Sequence, residues 1–98
     1  MKIPRSARPV TRIDIYTTPF CPFCHRAKAL LKSKGVEFND IDVMMSPSKR
    51  RDMSEKAGGN TSVPQIFVDD EHIGDCNGIY EMESAGTLDA ALKIVPAA

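Results

Sequence analysis

Two cysteines three residues apart, Cys21 and Cys24, are the residues of this chain best suited to chemistry. They lie between a strand-like segment, residues 12–16, and a helix-like segment, residues 25–34. A thiol at the first turn of a helix meets unpaired backbone N–H groups and the positive end of the helix dipole, and both favour the thiolate. Because the thiolate is the form that attacks disulfides, the pair predicts thiol–disulfide exchange.

The two sulfurs are expected to differ. Cys21 is nearer the preceding loop, so we expect it to be exposed and the more readily ionised of the two. Cys24 lies one turn further along the helix and should be buried. Pro22 between them restricts the backbone and has no N–H group.

The flanking segments predict the order β-α-β-α-β-β-α. Strands one and two are joined by a helix, which favours a parallel pair with a right-handed crossover. The later hairpin adds antiparallel strands, so we expect an α/β fold in which helices cover both faces of a small mixed sheet. The expected ranges are residues 12–16 for strand one, 23–34 for helix one, within 36–43 for strand two, 65–68 for strand three and 71–73 for strand four.

Helix two and the last helical region are predicted from their end signals. Ser46 and Pro47 are typical of an N-cap and a first helical residue, and residues 58–60 end that helix. Residues 74–78 are expected to form a loop. The last helical region should run from residue 79 to about residue 95, with an interruption near Gly86.

Size and charge exclude several classes of protein. The 98 residues, 42% of them hydrophobic, predict one domain over residues 11–95 after a basic, flexible extension, residues 1–10. The remaining chain is acidic, which argues against nucleic-acid binding. We expect no secretory signal, because residues 1–10 are basic but have no apolar core region, and no apolar run reaches membrane-spanning length. Three cysteines are an odd number, which favours the reducing cytoplasm, and we expect a monomer.

Three segments resemble the glutaredoxin family, in the same order and on the same predicted elements. They are residues 15–28, which contain Cys-Pro-Phe-Cys-His, residues 62–67, with the sequence Ser-Val-Pro-Gln-Ile-Phe, and residues 72–76, with the sequence His-Ile-Gly-Asp-Cys. The resemblance covers roughly residues 12–92. It implies a thioredoxin-like fold with four strands and a cis peptide bond before the proline of the second segment.

The resemblance also implies the chemistry. It makes Cys21 the nucleophile, Cys24 the resolving thiol and glutathione the reductant. The substrates would be disulfide-bearing or glutathionylated proteins, and no metal is expected. A glutathione site is implied at Thr18, Phe23, Arg51, Ser62, Val63, Pro64, Asp75, Cys76 and Asn77.

Physical arguments support parts of this site. Val63 is suited to pair its backbone with the tripeptide as an added strand. The N–H groups of Asn77 and Gly78 are suited to hold the γ-glutamyl carboxylate at the start of a helix. Arg51 lies early in helix two, where a cation opposes the dipole, so we expect it to bind the glycine carboxylate. Its neighbours, Lys49 and Arg50, are expected to be solvated.

Five positions depart from the family pattern. Thr18 replaces a lysine that would favour the thiolate, Phe23 replaces tyrosine, and Ser62 replaces threonine. Asp75 replaces a glycine and is expected to crowd or repel the γ-glutamyl carboxylate, which Asn77, in place of aspartate, partly offsets. Two other residues are expected to have no catalytic role. Cys76 lies in a loop beside the glutathione site, and His72 lies on the surface of the hairpin.

Other functions fit parts of the motif. An iron–sulfur cluster or metal carrier would use Cys21 with glutathione, although Pro22 argues against it. A zinc site from Cys21, Cys24, His25 and Cys76 would need the second sulfur to point outward. The C-x-x-C-H pattern also fits covalent haem attachment, but no export signal is visible. A thioredoxin would have Gly-Pro between its cysteines.

Overall fold

The computed structural model describes residues 12–93, so the predicted extension, residues 1–10, lies outside the described residues. None of the helices in the described range is long and apolar enough to cross a membrane. In chain order the elements are β1 (Ile13–Thr17), α1 (Pro22–Ser33), β2 (Asn39–Asp42), α2 (Pro47–Lys56), β3 (Gln65–Val68), β4 (Glu71–Gly74), α3 (Cys76–Ala85) and α4 (Leu88–Ala91).

The four strands form one mixed sheet in the order β2-β1-β3-β4. Strand β1 runs parallel to β2 and antiparallel to β3, and β4 closes a hairpin on β3. The hairpin turn places Asp69 and Asp70 at φ of 51° and 69°. Two successive positive φ values are typical of the tight turns that match the twist of a hairpin. The predicted sheet is therefore confirmed, and β1 is central, with every residue buried.

The alternation of side chains along β1 divides the core into two clusters. Ile13 and Ile15 face α1, α3 and α4, whereas Tyr16 faces α2, because successive residues of a strand point to opposite faces. The predicted helices on both faces are confirmed. The larger cluster contains Ile13, Ile15, Ala27, Leu30, Leu31, Ile66, Val68, Cys76, Ile79, Leu88 and Leu92, and the smaller contains Tyr16, Val43, Met53, Ala57 and Phe67.

Helix α2 is attached by few residues. Ser46 caps it as predicted, with Oγ accepting a hydrogen bond from the N–H of Lys49 at 3.3 Å, and Pro47 begins it. Met53 is the only fully buried residue within the helix, and Ala57 is buried at its C-cap. The packing of α2 on the sheet therefore relies mainly on the side chain of Met53.

Two predicted boundaries are wrong because a side chain caps a helix earlier than expected. Helix α1 begins at Pro22, one residue early, because Cys21 is its N-cap. Helix α3 begins at Cys76, three residues early, because Asp75 is its N-cap, so residues 76–78 are helical rather than a loop. The interruption near Gly86 is confirmed: this residue has φ of 80° and separates α3 from α4. The predicted end near residue 95 lies outside the described residues.

The attachment of α2 can be tested with two methionine variants. Met53→Ala should lower the free energy of unfolding by about 2–5 kcal/mol, because it removes a fully buried side chain and leaves a cavity. Met45→Ala removes a side chain that is 88% exposed and should change it by less than about 0.5 kcal/mol. Urea denaturation of both variants measures the difference. Equal effects would show that Met53 does not anchor α2.

Candidate active site

The sulfur of Cys21 caps helix α1. Cys21 has extended backbone angles, and its Sγ accepts a hydrogen bond from the N–H of Cys24 at 3.4 Å. An N-cap side chain normally supplies an oxygen for this purpose. The sulfur also lies 3.9 Å from the carbonyl oxygen of Val63, to which the protonated thiol donates. Cys21 is half-buried, so its sulfur stays accessible from solvent while it faces the start of the helix.

Cys24 is fully buried one turn further along α1. Burial raises the pKa of its thiol to about 12, because the buried environment disfavours the thiolate. The predicted contrast in exposure between Cys21 and Cys24 is thus confirmed. Neither cysteine takes part in a disulfide. The arrangement presents one accessible sulfur with a protonated thiol immediately behind it.

A cleft of ≈ 120 Å³ opens beside Cys21 and contains most of the predicted glutathione residues. Its wall includes the cis peptide bond between Val63 and Pro64, as the family resemblance implied. Phe23 is half-exposed, at 52%, so its ring forms an open edge of the cleft. The residues that line it are Phe23, Ser62, Val63, Pro64, Asp75, Cys76 and Asn77.

Two predicted glutathione residues, Thr18 and Arg51, do not line this cleft. Thr18 is half-buried, and its carbonyl oxygen accepts a hydrogen bond from the N–H of Cys21 at 3.4 Å, so it helps to fix the turn before the helix. Arg51 is exposed on α2. The expectation that Arg50 is merely solvated is wrong: its guanidinium donates to the carbonyl oxygen of Thr61 at 3.1 Å and so ties α2 to the segment that leads into the cleft.

Asp75 has a structural role that the sequence did not predict. Its Oδ1 accepts a hydrogen bond from the N–H of Gly78 at 2.8 Å, so the carboxylate caps α3. The N–H of Gly78, one of the two groups expected to hold a ligand carboxylate, is therefore already satisfied within the protein. Gly74 has φ of 146°, a backbone conformation that favours glycine at the end of β4, next to this helix.

Cys76 is not a loop residue. It is the first residue of α3, is 3% exposed and packs in the larger core cluster while also lining the cleft. Burial raises the pKa of its thiol, so the neutral form is favoured. Its side chain therefore forms an apolar part of the cleft wall.

A chain of hydrogen bonds behind the cleft was missed by sequence reasoning. Gln65, fully buried in β3, donates through Nε2 to the carbonyl oxygen of Ser62 at 3.1 Å and to its Oγ at 3.2 Å. The Oε1 of Gln65 accepts from Nε2 of His72 at 2.6 Å, so His72, which is exposed on the hairpin as predicted, also takes part in this network. The signal available in the sequence was a glutamine in an otherwise apolar strand.

The turn before Cys21 is held by a histidine. Nε2 of His25 donates to the carbonyl oxygen of Pro19 at 3.0 Å, since a carbonyl can only accept. The ring of His25, on α1, is thus bound to the backbone of the loop that precedes this helix. Within residues 12–93, no three histidine, cysteine, aspartate or glutamate side chains are arranged to hold a metal ion.

Comparisons with known proteins agree with this geometry. A protein-family model described as Glutaredoxin matches residues 13–73. Glutaredoxin 3 of Escherichia coli strain K12 is 46% identical over 84 residues, which cover 86% of this chain and 100% of that protein. A probable glutaredoxin of Synechocystis sp. is 51% identical over 81 residues, which cover 83% of this chain and 92% of that protein.

Solved structures show the same fold. The solution structure of glutaredoxin from Brucella melitensis is 46% identical, has a TM-score of 0.73 and covers 89% of this chain and 94% of its own. The crystal structure of a buckwheat glutaredoxin–glutathione complex is 22% identical, has a TM-score of 0.75 and covers 85% of this chain and 77% of its own.

The contrast between the three thiols predicts selective alkylation. Reduced protein treated with iodoacetamide at pH 8 should be labelled at Cys21 alone, because Cys24 and Cys76 are buried and their pKa values are raised. Peptide mapping by mass spectrometry identifies the labelled positions. The same reaction in urea is the control and should label all three. Labelling of Cys24 in the folded protein at the rate of Cys21 would contradict this assignment.

Proposed function

Because this chain belongs to the glutaredoxin family, we propose that it is a glutathione-dependent thiol–disulfide oxidoreductase that reduces protein disulfides and glutathione mixed disulfides. One observation carries the proposal. The half-exposed sulfur of Cys21 caps a helix beside a cleft that contains the cis-proline, and the buried thiol of Cys24 lies directly behind it.

Deglutathionylation needs Cys21 first. Its thiolate attacks the glutathione sulfur of a mixed disulfide, an S–S bond forms between Cys21 and glutathione, and the substrate leaves as a thiolate that takes up a proton. A second glutathione thiolate then attacks the same glutathione sulfur. This step releases oxidised glutathione and returns Cys21 to the thiolate. Overall, the sulfur of the incoming glutathione is oxidised and the substrate sulfur is reduced, while the glutathione sulfur from the mixed disulfide stays at the disulfide level.

Reduction of a protein disulfide uses both cysteines. Cys21 forms a mixed disulfide with one substrate sulfur, and the other substrate sulfur leaves as a thiolate. Cys24 then loses its proton and attacks Cys21, which releases the second substrate thiol and leaves a disulfide within the enzyme. The raised pKa of Cys24 keeps it protonated until this attack, so it does not compete with Cys21 for the first step. Two glutathione molecules restore the dithiol.

The cleft is the proposed glutathione site. The backbone of Val63 borders it and is suited to pair with the extended tripeptide as an added strand, which brings the ligand's sulfur toward Cys21. Phe23 supplies an apolar edge, and Asn77 and Ser62 supply polar groups. Arg51, exposed on α2, is proposed to bind the glycine carboxylate from outside the cleft.

The same proposal includes the setting in which the enzyme acts. Its substrates would be disulfide-bearing or glutathionylated proteins, and it would work as a monomer in the cytoplasm. The requirement for free thiols supports a reducing compartment, because the dithiol must be regenerated after each turnover.

Serine variants of the two active-site cysteines test the proposed roles. In a glutathione-coupled assay, Cys21→Ser should lose more than about 1,000-fold in turnover of both substrate types, because it removes the nucleophile. Cys24→Ser should still reduce glutathione mixed disulfides, which need one thiol, but lose the dithiol reduction of protein disulfides. Full activity of Cys21→Ser would overturn the proposed function.

Asp75 variants separate the helix cap from the charge. Asp75→Asn keeps an oxygen for the N–H of Gly78 and removes the negative charge, so the KM for glutathione should fall about three- to fivefold with little change in stability. Asp75→Ala also removes the charge but should lower the free energy of unfolding by about 1 kcal/mol.

The matched control for charge is Glu81→Gln, an exposed acid on the same helix. Steady-state kinetics and urea denaturation give the two readouts. An unchanged KM in Asp75→Asn would show that this carboxylate does not repel glutathione.

A further inference from the structure

Within the described part of the chain, four large apolar side chains are exposed, and all of them lie in or next to the segments that follow β1 and β2. Within residues 12–93 the exposed large hydrophobic residues are Phe20 (80%), Phe23 (52%), Met44 (45%) and Met45 (88%). Phe23 belongs to the proposed glutathione cleft, and the other three, here called the apolar rim, do not line it. Single exposed apolar residues need no explanation, but a group carried by the ends of neighbouring strands, one member of which adjoins a reactive cysteine, favours a binding surface.

The sheet brings the two parts of the apolar rim to the same edge. Strands β1 and β2 are parallel neighbours with Thr17 opposite Asp42, and the N–H of Val43 donates to the carbonyl oxygen of Thr17 at 2.9 Å. The chain that leaves β1 therefore carries Phe20, and the chain that leaves β2 carries Met44 and Met45, from adjacent positions at the carboxyl ends of both strands.

Phe20 is presented on a fixed turn. The N–H of Cys21 bonds the carbonyl oxygen of Thr18 at 3.4 Å, and His25 donates to the carbonyl oxygen of Pro19 at 3.0 Å. These two bonds hold the backbone on both sides of Phe20, so its ring can bind a partner with little loss of backbone entropy. The two methionines are flexible and polarisable, which suits them to apolar side chains of differing shape.

The chemistry of Cys21 determines what covers the apolar rim. In a disulfide the two Cα atoms are about 5.5–6 Å apart, and the Cα of Phe20 is about 3.8 Å from that of Cys21. A protein joined to Cys21 must therefore pass within side-chain reach of Phe20. Phe20, Met44 and Met45 do not line the cleft that is proposed to hold glutathione, so the apolar rim remains available for the protein substrate.

We propose that Phe20, Met44 and Met45 bind the protein substrate and select segments in which an apolar residue adjoins the disulfide cysteine. This inference rests on the proposed function and adds a substrate class to it. The apolar side chain of the substrate lies against the rim while its sulfur is bonded to Cys21. Burial of that side chain lowers the free energy of the mixed disulfide and of the transition state that leads to it.

Two peptide substrates test the selection. Each is cyclised by one disulfide and has the same length and charge, with leucine beside each cysteine in one and serine in the other. The wild-type protein should prefer the leucine peptide by about tenfold in kcat/KM, the effect of burying most of one leucine side chain. In Phe20→Ser/Met45→Ser this ratio should fall to about one, whereas Lys32→Ser, an exposed residue on the far part of α1, should keep it.

A small substrate separates the two proposals. All three proteins should reduce the mixed disulfide of glutathione and 2-mercaptoethanol at the same rate. Absence of this activity in the wild type would overturn the proposed function itself. If this activity is intact, two results would overturn the proposed role of the apolar rim without affecting the proposed function. One is a wild-type ratio of kcat/KM between the leucine and serine peptides near one, and the other is an unchanged ratio in the double variant. Sedimentation that shows a wild-type dimer, dissociated by the double variant, would assign the surface to a second copy and also overturn the inference.

Discussion

The hydrogen bond from the N–H of Cys24 to the sulfur of Cys21 organises the rest of the site. A helix needs an acceptor at this position, and here the acceptor is the sulfur expected to react. The bond holds Cys21 at the junction of β1 and α1, where it remains accessible, and it turns Cys24 into the core. Because β1 is buried between β2 and β3, the position of that junction is fixed by the centre of the sheet.

A second helix begins at the same cleft. Helix α3 is capped by Asp75 as α1 is capped by Cys21, and both caps face the space beside the cis-proline. Contacts between the two helices reinforce this arrangement: the hydroxyl of Tyr80 donates to the carbonyl oxygen of Arg26 at 3.2 Å, and the guanidinium of Arg26 lies 5.1 Å from the centre of that ring. Two positive helix ends thus converge where an anionic sulfur and an anionic ligand are required.

The parts of the fold that depend on local signals were predictable from the sequence. Ser46 and Pro47 begin α2, and Gly86 interrupts the last helical region, because caps and positive φ values demand particular residue types. The positions of the two active-site cysteines followed from the strand–helix context.

What sequence reasoning missed depends on tertiary contacts. The role of Asp75 as a helix cap could not be read from the sequence, because its bond to Gly78 appears only once the backbone has turned. The link between Gln65 and His72 needs the pairing of β3 with β4, whose register shifts at an irregularity between Ile66 and Phe67. Charge alone did not distinguish Arg50 from its neighbours, since only the packing of α2 brings it to Thr61.

The hydrophobic clusters on the two faces of the sheet differ in size, which implies that the helices they hold do not unfold equally easily. Helix α2 is attached through Met53, the bond from Arg50 to Thr61 and the contacts of Lys56 with Asp70 and the ring of Phe67, and it belongs to the smaller cluster, whereas α1 belongs to the larger one. Amide protons of α2 should therefore exchange with solvent through a sub-global fluctuation, while those of α1 exchange only when the whole domain unfolds. Such a fluctuation would release residues 61–64, which form part of the cleft wall. The two active-site sulfurs would stay in place, because they belong to the part of the molecule that unfolds last.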